Sequence, residues 1–353
     1  MSRRVLELDP EQLAFLRRYG FDAQLQQRWQ RDLAAGRLSK NGNLVSEPLT
    51  APPPDAIETA PAPGSAEWRR LEALGQEVIA RGEFGVVVLN GGMATRFGGV
   101  VKGVVPVLGE RSFLALCVED VRRHERATGG RIPLFLMNSF ATDEATRAHF
   151  EARRHFGADP ARLHHFTQFV ALRMTTDGGL FRTADGGISP YGPGHGDLPG
   201  AFRSAGLLRA FAQQGGRHLL VRNVDNLGAR IEPAILGHHV ERDRPVTVEL
   251  APKRRGDVGG APYSLGGRTQ LVEQLRFPPG FDPDIVDVFN TNTLTCAVDA
   301  LDRDFELGWY FVEKKVDGRA AVQVEHLIGE LTAHIVANFL KVGRDGPHSR
   351  FLP

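Results

Sequence analysis

The segment Val86 to Gly99, VVVLNGGMATRFGG, constrains the fold more than any other part of the chain. Gly85 to Leu89 has the length and β-branched content of a strand buried on both faces, and Asn90-Gly91-Gly92 ends it abruptly. A doubly buried strand belongs to a parallel sheet, whose neighbouring strands need crossover connections, usually helices. The sequence supplies them in alternation. Helical patterns near Trp68–Arg81, Ser112–Arg126, Thr142–His155, Gly200–Gln214 and Glu232–Arg242 separate apolar runs at Pro133–Asn138, Leu163–Gln168, His218–Arg222 and Val246–Leu250. The expected class is α/β with a mostly parallel sheet. Ahead of it, Asp9-Pro10 reads as a helix cap followed by proline at the first helical position, and a second helix is expected from about Asp22 to Ala35. Leu49 to Gly64, rich in proline and alanine, reads as an extended connector rather than core. Ala261 to Phe277 alternates across Gly266-Gly267 and reads as a hairpin.

Composition narrows the partners. Lysine and arginine together number 43 against 42 acidic residues, a net charge of +1, so the chain lacks the field of a nucleic-acid or membrane-surface binder. No apolar run reaches the roughly 18 residues of a membrane span, and no signal-peptide pattern is present. The two cysteines, Cys117 and Cys296, each sit in an apolar stretch and read as buried free thiols, which fits a cytoplasmic protein. Lysine is scarce, at Lys40, Lys102, Lys253, Lys314, Lys315 and Lys341. Whatever lysines do here, few can do it.

An α/β fold collects its functional groups at strand ends. After the first strand, Gly91 and Gly92 let backbone N–H groups approach a phosphate or a base, and Arg96 and Lys102 add positive charge. The loop has neither the GK[ST] ending of a P-loop nor the glycine spacing of the dinucleotide fingerprint, so it holds a nucleotide in some other way. VRNVDNLGA sets Asn223, Asp225 and Asn226 directly after an apolar run; Asp225 reads either as a ligand for Mg²⁺, which takes one or two carboxylates plus phosphate oxygens, or as part of a helix-capping turn. His195 lies between glycines in SPYGPGHGDLPG, as a ligand contact or a solvated loop residue. Lys314 and Lys315 end an aromatic run, in a site or at a solvated hairpin end. Asn290, Thr291 and Asn292 alternate within an apolar frame and need partners.

Taken in order, Leu89-Asn-Gly-Gly92, PLFLMNSFATDEATRAHF, FTQ, PGHGDL, VRNVDNLGA, VFNTN and QVEHLIGE resemble the UTP–glucose-1-phosphate uridylyltransferase family, also called UDP-glucose pyrophosphorylases. The resemblance runs from about Gly85 onward. It implies a three-layer α/β/α nucleotidyltransferase domain, Rossmann-like, with a mixed, mainly parallel sheet over residues 81–353, and a helical segment with linker over 1–80. It implies transfer of UMP from UTP to glucose 1-phosphate with release of pyrophosphate. Leu89, Gly91, Gly92, Gln168 and Gly194 would then hold the nucleotide, and His195, Asn223, Asn292 and Glu273 the sugar phosphate. Lys314, foremost, and Lys102 would meet the reacting phosphates, and Asp225 would hold Mg²⁺. Attack by one phosphate on another brings two anions together, so such a site needs cations and fixed geometry rather than a nucleophilic side chain.

Three departures from the family pattern stand out. Ala94 replaces a second glycine of the loop. Val101 precedes Lys102 where the family has proline, with the spacing from Thr95 one residue shorter. HSRFLP (His348 to Pro353) resembles a segment after which family members continue into a C-terminal β-helix domain, so a short form with an open oligomeric state, a monomer included, is expected. The same chemistry on N-acetylglucosamine or galactose 1-phosphate, or a sugar-nucleotide-binding protein without catalysis, are the competing readings.

Overall fold

The computed structural model describes residues 8–94, 99–257 and 259–352. Its central sheet has eight strands. Numbering only these, they are β1 (Ile57–Thr59), β2 (Phe84–Asn90), β3 (Leu134–Asn138), β4 (Leu163–Thr167), β5 (His218–Asn223), β6 (Val246–Pro252), β7 (Val288–Ala297) and β8 (Ala337–Lys341). The order across the sheet is β1-β8-β6-β7-β5-β2-β3-β4. All neighbours pair in parallel except β7, which runs antiparallel to both β6 and β5. The helices are α1 (Pro10–Arg18), α2 (Ala23–Ala34), α3 (Ala66–Ala80), α4 (Phe113–Thr128), α5 (Asp143–Ala152), α6 (Leu198–Ser204), α7 (Leu207–Gln213) and α8 (Pro233–Arg242), with one further turn at Leu331–His334.

Every residue of β2 is buried, as its β-branched run predicts, and its alternate side chains enter different cores. Val87 and Leu89 join Phe135, Leu219, Val221, Phe202 and Phe211 on the side of α6 and α7. Val86 and Val88 join Leu134, Leu220, Val78, Ile79, Leu114 and Val118 on the side of α3 and α4. Two apolar clusters split by the strand period are what make the fold three layers. Both cysteines are free and buried, and no described helix is long and apolar enough to cross a membrane.

Helices α3 and α8 lie against each other at two glycines. A Cβ at Gly75 would stand 1.9 Å from the Pro233 carbonyl oxygen, and one at Gly237 would stand 2.0 Å from that of Leu71. Neither backbone can yield without moving the helix pair. Gly75→Ala is therefore expected to cost about 1–3 kcal/mol of stability despite the better helix propensity of alanine, measured as a lowered urea midpoint at unchanged m-value.

Two expectations need correction. The Leu49–Gly64 stretch is not merely connector: its centre is β1, which pairs with β8 at the sheet edge. Three partly exposed residues carry no periodicity, and only the distant partner makes them a strand. The sheet domain thus reaches back to residue 57, ahead of the expected boundary at 80/81. The single helix expected over Gly200–Gln214 is two, α6 and α7, broken at Ala205-Gly206. The N-terminal helices dock through Gln26, whose buried side-chain amide exchanges two 3.0 Å hydrogen bonds with the backbone of Leu172.

From β2 the chain moves outward through β3 to β4, then returns to place β5 on the other side of β2. That reversal opens a crevice at the carboxyl ends of β2 and β5, the position at which open α/β sheets take ligands.

Candidate functional site

The β2 end is fixed from below by a buried polar network. Asn90 donates to Asn138 Oδ1 (2.8 Å) and to Thr146 Oγ1 (2.9 Å), Thr142 Oγ1 donates to the Asn90 carbonyl (2.9 Å), and Ser139 Oγ donates to the Gly91 carbonyl (3.1 Å). The start of the loop leaving Asn90 is thus anchored to the segment between β3 and α5. Leu89 is nearly buried, and its carbonyl accepts from Val224 N–H, which ties β2 to the start of the β5 turn. Arg96 lies outside the described residues.

Gln168 follows β4, its own N–H held by the Asn138 carbonyl at 2.8 Å. Its side-chain amide is clasped between two glycine backbones. A Cβ at Gly192 would stand 1.5 Å from Nε2, and one at Gly91 would stand 2.9 Å from Oε1. Only 8% of the residue is exposed, and its amide has no protein hydrogen bond among the described residues. An amide fixed in place with its donor and acceptor free is suited to reading the edge of a planar ligand. Gly194 lies against the His326 carbonyl, opening the turn that presents His195.

His195 accepts the Ile328 N–H at Nδ1 (3.0 Å), so its Nε2 carries the hydrogen. Burial, with the charge of His326 beside it, lowers its pKa to about 4, so the ring is a neutral N–H donor at ordinary pH. Behind it, His326 contacts Asp197 Oδ1 (2.7 Å) and stacks on Trp309, while Asp197 Oδ2 accepts the Phe169 N–H (2.9 Å). One carboxylate thus links the His195 turn to the chain that carries Gln168.

Across the crevice, β7 enters antiparallel and brings its first residues to the same edge. Its register shifts opposite Glu249 and Leu250, and Asn292 takes φ +55°. In that conformation Asn292 Nδ2 donates to Asn223 Oδ1 (2.8 Å), while its Oδ1 is buried without a partner. Thr291 Oγ1 donates to the Glu249 carbonyl (2.8 Å). Asn290 donates to Glu273 Oε1 (3.2 Å). Burial raises the Glu273 carboxyl above its ordinary range, against the hydrogen bonds from Asn290 and Gly260 that lower it.

Asp225 projects just past β5, where Lys102 Nζ meets its Oδ2 at 2.7 Å; the two side chains are 32% and 35% exposed. The neighbouring Asn226 is a structural residue. Its Oδ1 accepts N–H groups of Gly228 (3.0 Å) and Leu352 (2.9 Å), and its Nδ2 donates to the Arg350 carbonyl (3.2 Å). Arg350 in turn makes a bidentate, buried pair with Glu249 (2.7 and 2.8 Å). The turn that presents Asp225 is thereby clamped by residues 349–352. No signal local to VRNVDNLGA reveals that clamp.

Among the described residues, no group of three or more His, Cys, Asp or Glu side chains gathers as a metal cage. A single carboxylate past a strand end could instead hold a hard divalent cation that completes its shell with ligand oxygens. Asp225 is the candidate, just past the end of β5.

Lys314 makes no hydrogen bond or ion pair with these residues. It lies in the Tyr310–Val316 strand of a separate hairpin, 49% exposed, with Nζ 3.6 Å from Glu325 Oε1. The lysine paired with Asp225 is Lys102.

The sequence matches the family described as UTP--glucose-1-phosphate uridylyltransferase over residues 54–353. The chain is 32% identical over 283 residues to a UTP--glucose-1-phosphate uridylyltransferase of Astragalus penduliflorus, covering 76% of this chain and 59% of that protein. It is 30% identical over 326 residues to the one of Hordeum vulgare, covering 88% and 64% respectively. The chain thus spans less than two thirds of the length of these curated relatives. Its fold is similar to the uridine diphosphate N-acetylglucosamine pyrophosphorylase of Trypanosoma brucei (TM-score 0.79, 20% identity, 98% of this chain and 76% of that one). It is also similar to the UDP-glucose phosphorylase of the same organism (TM-score 0.76, 19% identity, 97% and 75%).

Proposed function

Because the chain belongs to the UTP–glucose-1-phosphate uridylyltransferase family, we propose that it transfers UMP from UTP to glucose 1-phosphate, giving UDP-glucose and pyrophosphate. The observation that carries this reading is the Lys102–Asp225 pair at the switch point, with a clasped, unpaired amide on one side and a neutral imidazole N–H donor on the other. In this reading Gln168 reads the uracil edge against the backbone of Gly91 and Gly92, with Leu89 and Gly194 beside the nucleoside. His195 Nε2–H and the Asn223–Asn292 amide pair hold the sugar phosphate, and Glu273 accepts a sugar hydroxyl.

The attacking phosphate oxygen and the α-phosphate of UTP are both anionic, so the chain must neutralise charge and fix an in-line approach. Lys102 supplies the protein's own cation. Its partner in the structure is Asp225, and in this reading the pair separates its duties on substrates: the ammonium turns to phosphate oxygens and the carboxylate is left for a metal ion. Mg²⁺ on Asp225 would add charge neutralisation across the phosphates. A neutral His195 donates without adding a titrating charge, so it contributes no limb to the pH–rate profile above about pH 5.

Pyrophosphate release by the purified chain with Mg²⁺ and UTP tests the proposal, run across glucose, N-acetylglucosamine and galactose 1-phosphates with dTTP as control. Turnover restricted to UTP and glucose 1-phosphate supports it. Preference for another sugar moves the substrate and keeps the chemistry, and binding of UTP without turnover makes the chain a sugar-nucleotide binder.

A further inference from the structure

A second concentration of positive charge lies away from the strand-end crevice. A cavity of about 550 Å³ opens between α4 and the turn after β5, within the size range of small-molecule sites. Five arginines line it: Arg122, Arg123 and Arg126 from α4, Arg222 from β5, and Arg230 beyond the turn. Its two carboxylates are already engaged. Asp120 is 2.8 Å from Arg123 and accepts the Ile231 N–H at 2.7 Å, and Glu119 is 3.1 Å from Arg111.

Arg222 is the residue that apolar packing does not explain. Strand alternation puts it on the same face of β5 as Leu220, within the layer that α4 covers. It is 3% exposed, its Nη2 donates to the Asn226 carbonyl (2.7 Å), and its Nε–H is buried without an acceptor. No carboxylate pairs with it among the described residues. A buried guanidinium with an unmet donor and no counter-charge is costly, and an anion in the adjoining cavity would relieve it. Arg126, exposed at the rim, likewise has no partner among the described residues.

We propose that this cavity is a second anion site, which takes a small phosphate-bearing molecule. Arg222 and Arg126 offer unmet guanidinium N–H groups at this space, while Arg122, Arg123 and Arg230, held by the Phe156 carbonyl, Asp120 and the Pro347 carbonyl, add positive charge around it, a setting that suits a multiply charged tetrahedral oxyanion. The site has a route to the crevice, because the Arg222 guanidinium also holds the carbonyl of the residue that follows Asp225. That coupling rests on the proposed uridylyl transfer; the binding itself does not.

Titration calorimetry with inorganic phosphate, at ionic strength held constant with chloride, tests the site without reference to turnover. In the intact chain, phosphate binding is expected to weaken about tenfold or more in Arg126→Glu and in Arg222→Gln, and to survive in Lys102→Ala. Binding unchanged by both arginine variants, binding lost only in Lys102→Ala, or no binding at millimolar phosphate each overturns the proposal. Should Arg222→Gln fail to fold, Arg126→Glu decides alone, since that side chain is exposed and has no bonded partner among the described residues.

Discussion

Lys102→Ala is expected to lower kcat for the proposed UDP-glucose formation about 10²–10³-fold while leaving the thermal unfolding midpoint within about a degree of the parent. Removing one positioned charge donor from a transition state that gathers negative charge has effects of that size in other enzymes. The fold loses little, because the Lys102–Asp225 pair is a third exposed on both sides and such pairs contribute roughly 0–1 kcal/mol. The comparison variant is Lys314→Ala, whose ammonium faces Glu325 on its own hairpin and is expected to leave kcat within about threefold. Steady-state kinetics on the two variants decide between them. A collapse of kcat in Lys314→Ala with Lys102→Ala unaffected would return the phosphate-binding role to Lys314.

The largest expected change in stability is at Arg350. Arg350→Met leaves Glu249, which is fully buried, with an uncompensated charge, at a cost of about 3–5 kcal/mol. The same substitution removes a donor to the Arg230 carbonyl and loosens the segment whose backbone satisfies Asn226. Denaturant unfolding should therefore show the single variant strongly destabilised. The double variant Glu249→Leu, Arg350→Met should recover most of the loss, since a matched apolar pair replaces a buried ion pair at small cost. Recovery failing in the double variant would mean that the Arg230 and Asn226 contacts, rather than the charge pair, hold this corner together.

The strands flanking the crevice were legible because each is an apolar run long enough to show its period and ended by Asn, Gly or Asp. Phe84–Asn90 and His218–Asn223 are such cases. Gln168, His195, Asn223 and Asp225 were legible for a related reason: they stand within a residue or two of a strand end or a glycine turn, so topology alone delivers them to one edge. Asn292 was legible as a polar residue in an apolar frame, though not its positive φ, which depends on a register shift against β6. What escaped is long-range. β1 is a strand only because β8 lies beside it, and Asn226 is structural only because Arg350 and Leu352 reach it across more than 120 residues. Ser139 and Thr142 belong to the same class: they sit in a quoted motif, yet their bonds to the β2 end follow from how α5 packs.

The edge pairing of β1 with β8 and the clamp on the Asp225 turn share a feature that bears on how the protein is made. Both depend on residues 337–352, which leave the ribosome long after the strands they complete. Until then β6 has an open edge, and the Asn226 side chain lacks two of its partners. An unpaired sheet edge is a template for association with other chains, and closing contacts of such high sequence separation is slow. Synthesis in the cell therefore passes through a stage in which most of the sheet is present and its outer edge is open, and yield should respond more to chaperone supply and growth temperature than the finished protein's stability would suggest.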